Sequence, residues 1–90
     1  MKNLKLEIYT PSGMLFDGTV YSVTLPGAKE IFTVLKDHGA IISSLKEGVI
    51  KYKINKDDEE VSSIEVLGGF VEVKKNVATV TLETVIKWES

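Results

Sequence analysis

Cysteine is absent from the chain, which excludes a disulfide framework and any thiolate metal centre and fits a reducing compartment. Histidine occurs once, at His38, so a closed zinc site, which needs three or four converging ligands, lacks donors. Uninterrupted apolar runs stop after a few residues, far short of the roughly 18–20 that span a bilayer. The opening MKNLKLEIYT also lacks the apolar centre of a signal peptide. Work at a membrane would therefore pass through another subunit. An excess of one charge is missing too. Eleven Lys and Arg against thirteen Asp and Glu give a net charge of −2, with the two signs interspersed, so no field is available to hold a phosphate backbone and nucleic acid is not expected as a partner. No segment sustains a helical period, and there is no internal repeat or low-complexity tract.

What is present is a 90-residue chain, 43% hydrophobic and 27% charged, the make-up of one folded domain. Alternation with period two dominates it. Leu4, Leu6 and Ile8 share one face of an extended segment while Lys5, Glu7 and Tyr9 share the other. TPSGMLFDG then supplies turn chemistry through Pro11, Ser12 and Gly13, and a β-branched strand is predicted from Val20 to Leu25, stopped by Pro26-Gly27. Ile31–Leu35 reads as extended, KDHG breaks the pattern, and Ile41–Leu45 is a short strand or a bend. GVIKYKI sets Ile50, Tyr52 and Ile54 against Val49, Lys51 and Lys53, and the charged NKDDEE reads as a hairpin loop into Val61–Leu67. Gly68-Gly69 turns the chain. FVEVKKNVATVTLE follows, with Val71 and Val73 on one face, a turn at Lys75-Asn76, and Ala78, Val80 and Leu82 facing inward. Such spacing predicts an all-β fold, a flattened β-sandwich or barrel of short, mostly antiparallel strands.

Chemistry finds little purchase here. Asp37 beside His38 is poorly placed to orient the imidazole, because neighbouring side chains in an extended segment point apart, and no nucleophile elbow surrounds Ser43 or Ser44. Gly68-Gly69 lacks the helix start, lysine and hydroxyl of a phosphate loop, and Lys56–Glu60 lacks the spaced ligands and central glycine of an EF-hand-type loop. A solvated hairpin tip describes that run better. The expectation is no catalytic residue, no metal and no cofactor. What stands out is apolar excess: IFTVL sets Phe32 and Val34 against Ile31 and Leu35, and Ile41-Ile42 again places an aliphatic on each face. A sheet with one wet face should alternate apolar and polar, so either loops of the same chain or a partner covers the outside.

Taken in order, KLEIYTPSGMLFDGTVYSVTLPG, HGAIISSLKEGVIKYK and LGGFVEV…VATVTLE run from about Leu4 to Glu83. This set resembles the N-terminal β-sandwich of the epsilon subunit of bacterial F-type ATP synthases. The resemblance implies a sandwich of about ten strands over residues 1–84 with a short tail, 85–90. It also implies a non-catalytic rotor subunit at the foot of the gamma subunit, coupling it to the membrane ring of c subunits so that ion-driven rotation reaches ATP synthesis. Such a subunit would sit peripherally, through its partners, on the cytoplasmic face of the bacterial inner membrane. By the same resemblance His38, Ile41, Ile42 and Ser43 would face gamma, and Ala28, Lys29, Glu30 and Ile31 would face the polar loops of the ring.

Departures from the family pattern alter this picture. Ile31 stands where the family usually has a carboxylate, which Glu30 would replace, and the usual P-G-H-A-P becomes Lys36-Asp37-His38-Gly39-Ala40. Relatives commonly continue into a two-helix hairpin that restrains hydrolysis and in some species binds ATP. With the chain ending at Ser90, a naturally short subunit without ATP binding is expected, with Val85, Ile86 and Trp88 packed as a tail on the sandwich edge. The competing reading is a biotinyl or lipoyl carrier, or a stand-alone binding module. A carrier would present Lys56 at the hairpin tip, but its acidic neighbours differ from the small or methionine residues that flank a carrier lysine.

Overall fold

The computed structural model describes residues 3–83 and 85–89. Among them are ten strands and no helix: β1 (Leu4–Thr10), β2 (Gly13–Val20), β3 (Ser22–Pro26), β4 (Ile31–Leu35), β5 (Ile41–Leu45), β6 (Gly48–Lys53), β7 (Ser62–Val66), β8 (Gly69–Lys74), β9 (Val77–Leu82) and β10 (Val85–Glu89). They form two five-stranded sheets, ordered β2-β1-β9-β8-β5 and β10-β7-β6-β3-β4. Among the described residues only β1 and β9 pair in parallel; the other ladders are antiparallel.

Alternation explains the layering. Leu4, Leu6 and Ile8 of β1 are buried, and the parallel register sets Leu6 and Ile8 beside Ala78 and Val80 of β9. Ile50 and Tyr52 of β6 and Ile64 and Val66 of β7 face them from the second sheet. At about 1.5–3 kcal/mol for each large aliphatic side chain taken from water, these positions are what hold the sheets together. Phe16 and Tyr52 add an aromatic contact between the sheets, with ring centroids 4.5 Å apart.

The structure moves one boundary. The segment read as turn and connector after Tyr9 is mostly strand: β2 runs for eight residues and hairpins back on β1. Alternation hides it for two reasons. It is an edge strand with few fully buried positions, and a bulge opposite Ile8/Tyr9 inserts Leu15 out of register, so Leu15 and Phe16, though adjacent, both pack against the core. The strand expected from Val20 to Leu25 accordingly divides into the end of β2 and β3. Ile54, grouped with Ile50 and Tyr52 in the sequence, lies past the end of β6 and is exposed.

The remaining turns follow their residue types. Lys75 and Asn76 both take positive φ, 51° and 63°, as a two-residue hairpin between β8 and β9 requires. Val85–Glu89, set apart as a tail in the sequence, pairs with β7 as an edge strand; the packing expected of the Val85, Ile86 and Trp88 side chains, and the Ser90 terminus, lie outside the described residues. Gly68-Gly69 carries the chain from β7 to β8, where Gly69 has φ +151° and a Cβ there would collide with the Thr81 carbonyl oxygen.

On the solvent face of β1, Lys5 Nζ lies 3.2 Å from Glu7 and 3.8 Å from Asp17, and the Tyr9 hydroxyl donates to Glu7 at 3.4 Å. The Glu7 hydrogen bond and the Asp17 charge raise the Lys5 pKa. Desolvation, then Glu7, raises that of Tyr9.

Two predictions follow from this packing. Gly69→Ala should destabilise the domain by roughly 2–4 kcal/mol in urea unfolding, whereas Gly39→Ala, where a Cβ meets nothing within 4 Å, should stay within about 0.5 kcal/mol of the parent. Because both raised pKa values mean that the folded state holds its protons more tightly, their stabilisation is intact below about pH 10 and fades as pH rises beyond it. The urea midpoint should fall as the pH rises beyond about 10, and Lys5→Gln should flatten that fall; identical slopes would exclude Lys5 as a contributor.

Candidate functional site

The site forms where the two sheets come together at one corner. Pro26-Gly27 ends β3, and the chain folds back so tightly that a Cβ on Gly27 would lie 2.5 Å from the Glu30 carbonyl oxygen and 2.8 Å from the Phe32 ring. Only glycine fits there. Two backbone hydrogen bonds then fasten this loop to the other sheet: Ala28 N–H donates to the Ser44 carbonyl and Lys46 N–H to the Pro26 carbonyl, each at 2.9 Å. Gly27 and Leu45 form the bridge between them.

The β4–β5 turn closes the other end. Asp37 has φ +63°, and its backbone N–H donates to the Asn76 side-chain oxygen, while Asn76 Nδ2 donates to the Asp37 carboxylate at 3.3 Å. This reciprocal pair ties the turn carrying His38 to the β8–β9 hairpin. It also engages the Asp37 carboxylate with Asn76 rather than with the imidazole. His38 Nδ1 donates to the Gly39 carbonyl at 2.8 Å, and Ser43 Oγ donates to the Ser44 carbonyl at 3.0 Å. Both bonds are local, so neither side chain is set up as a nucleophile–base pair.

Between these ends lies a groove of about 650 Å³ lined by Ala28, Lys29, Glu30, Phe32, His38, Ile41, Ile42 and Ser43. Its floor is apolar, from Phe32 and Ile41, both packed against the core; Lys29, Glu30 and His38 are exposed around it. The structure therefore brings His38, Ile41, Ile42 and Ser43 together with Ala28, Lys29 and Glu30, although the sequence assigned the two groups to different partners. Ile31 is separate. It is 68% exposed on the outer face of the second sheet and lines a smaller hollow of about 310 Å³ with Thr24, Pro26, Val49 and Lys51 among its walls.

The pair Ile41-Ile42 is now resolved. Ile41 packs inward, and Ile42 is 75% exposed. Ile42 also borders a second hollow, of about 430 Å³, with Ser44, Phe70, Thr81 and Glu83. Phe70, half exposed and paired in register with Ser44, had not been singled out. The signal was available, since inward Val71 and Val73 force Phe70 and Glu72 outward. The apolar excess is thus divided: Ile42 and Phe70 stand on the first sheet, and Ile31, Leu35 and Val49 on the second.

A larger hollow of about 720 Å³ lies under the β6–β7 connection and is lined by Tyr52, Ile54 and residues 57–63. The connection is folded on itself, with Asn55 N–H donating to the Asp58 carboxylate at 2.9 Å and Lys53 Nζ to the Lys56 carbonyl at 3.3 Å. Among the described residues no three His, Cys, Asp or Glu side chains come close enough to hold a metal ion.

Comparison with known proteins bears directly on this arrangement. The family profile "ATP synthase, Delta/Epsilon chain, beta-sandwich domain" matches residues 3–87. An ATP synthase epsilon chain of Sulfurimonas denitrificans is 43% identical over 83 residues, 92% of this chain and 62% of that protein. One of Nitratiruptor is 43% identical over 89 residues, 99% of this chain and 67% of its own length, and one of Chlorobium limicola is 37% identical over 84 residues, covering 93% of each. The chain thus spans about two thirds of the first two relatives. Among solved structures, a chain of the Tetrahymena thermophila mitochondrial ATP synthase central stalk and c-ring superposes with a TM-score of 0.78 at 19% identity, over 96% of this chain and 67% of that one. A chain of the Euglena gracilis mitochondrial enzyme superposes with 0.83 at 16% identity, over 93% of this chain and 52% of that one; both share the fold. By the extent of the profile match and the identity to these relatives, the chain belongs to the ATP synthase delta/epsilon family, as its β-sandwich domain.

Proposed function

We propose that this chain is a non-catalytic subunit of the central stalk of an F-type ATP synthase, joining the gamma subunit to the c-ring so that rotation of the ring is carried to the catalytic head. The observation that carries the reading is the corner groove, an apolar floor with a mixed polar rim and, at its lip, the most exposed large aliphatic among the described residues. Scattered exposed aliphatics are ordinary on any surface. Ile42 differs because two neighbouring hollows share it, so a partner covering it would also cover Phe70. The epsilon-chain names of the relatives and the central-stalk origin of a fold neighbour support the same assignment.

On this reading His38, Ile41, Ile42 and Ser43 dock gamma, while Ala28, Lys29, Glu30 and Ile31 meet the ring. The geometry gives the two contacts a shared element. Lys29 and Glu30 stand on the loop that Gly27 folds back and β5 fastens, so a load on the ring side passes into the first sheet through backbone hydrogen bonds rather than through a loose loop. Ile31 lines a hollow separate from the groove, and on this reading it is left to the second partner. Among the described residues no helix is long and apolar enough to cross a membrane, and the chain would reach one through the ring, on its cytoplasmic face.

Capture of gamma by the purified chain should weaken about 30-fold, some 2 kcal/mol, on Ile42→Asp, as befits a buried interface anchor. Ile31→Asp should leave capture of gamma unchanged and lower retention on the c-ring. Both are read by co-purification and calorimetry, with the urea midpoint as control for folding. Undiminished capture by Ile42→Asp would move the gamma contact to another face.

A further inference from the structure

The edge of β5 that borders the groove carries backbone groups left without a partner among the described residues. Ser44 C=O and Lys46 N–H point away from β8, since they bond to Ala28 and Pro26. Backbone polarity alternates from side to side along a strand, so Ser44 N–H and both backbone groups of Ile42 point the same way. The bridge centred on Gly27 and Leu45 would next set Glu30 opposite Ile42. Instead the chain turns after Ala28 and enters β4, where Ile31 pairs with Pro26. Among the described residues, β5 therefore has no strand partner on this side beyond Ala28.

Past the Pro26–Ala28 loop, which covers one end of it, β5 itself carries no blunting side chain. β5 reads Ile-Ile-Ser-Ser-Leu, with no lysine, proline or register shift. At the other edge of the same sheet, β2 carries a bulge, and its Asp17 lies near Lys5. Sheet edges without such protection are templates for pairing. The unused N–H, C=O and N–H of Ile42 and Ser44 match an extended backbone, which offers the complementary series at the same spacing. A strand laid there would direct alternate side chains onto Phe32 and Ile41 in the groove and toward Ile42 on the outer face.

We propose that the docking partner adds an extended segment to β5, making a sixth strand of the first sheet, with main-chain hydrogen bonds to Ile42 and Ser44 and an apolar side chain seated on Phe32 and Ile41. This rests on the reading that gamma docks at the groove and specifies how it does so. Strand addition takes affinity from main-chain bonds and specificity from alternate side chains, and it would make the joint directional, as a coupling that carries torque requires.

Residue-resolved amide exchange tests it. In the isolated chain the Ile42 and Ser44 amides should exchange roughly 100-fold faster than that of Ser43, which faces β8. With gamma bound, both should slow by a similar factor. Fast exchange at Ile42 and Ser44 while gamma remains bound would overturn strand addition and leave side-chain docking. Failure to bind gamma at all would overturn the docking reading itself. Protection that appears only at high concentration of the chain alone would identify a second copy as the occupant, against the proposal. A second test uses Ile42→Pro, which removes one groove-facing N–H and keeps the β8 ladder; it should weaken capture about tenfold more than Ile42→Ala. Equal losses in chains with the same urea midpoint would contradict the proposal.

Discussion

Two hydrogen bonds between Pro26–Ala28 and Ser44–Lys46 set the form of this domain. They bind the end of a strand in one sheet to an edge strand of the other, and they stop after a single bridge because Gly27 allows the chain to double back. Had the ladder run on, the corner would be sealed and β5 fully paired. Because it stops, an apolar floor and a bare strand edge are left side by side. The groove, its polar rim and the exposure of Ile42 all follow from that termination.

Around this corner the rest of the molecule is closely fixed. The β4–β5 turn is clasped to the β8–β9 hairpin through Asp37 and Asn76. The sheets are joined by aliphatic side chains that are almost wholly buried. A domain proposed to carry load between two partners benefits from that construction, since a packed interior transmits strain instead of absorbing it. Docking on such a surface also costs little ordering of the chain, so more of the contact energy is realised as affinity.

Much of this was legible in the sequence, for reasons tied to particular residues. Strands with one buried face, such as β1, β6 and β9, announce themselves by alternation. Asn76 and Gly69 mark their turns because few other residues accept positive φ as readily. β2 was hidden by its position at an edge and by the Leu15 bulge, both of which erase the period-two signal. The doubly apolar segments correctly pointed outward. Which isoleucine was exposed depended on β5 register, set by pairing with β8 across about thirty residues of intervening chain, and that no local pattern encodes. Likewise, only the tertiary fold could place the Ala28–Glu30 loop and the His38 turn in one groove. Phe70 could have been assigned from its neighbours Val71 and Val73.

The proposed role turns on whether the corner groove, rather than the larger acidic hollow beneath the β6–β7 connection, meets the rest of the stalk. The chain has no cysteine, so Ile42→Cys and Lys56→Cys each introduce a single thiol, one at the groove and one at the acidic loop. A short thiol-directed photo-crosslinker on each, in complexes assembled with gamma and the c-ring, gives the most direct answer. The account predicts an adduct with gamma from position 42 and none from position 56; gamma joined to position 56, with position 42 unreacted, would contradict it.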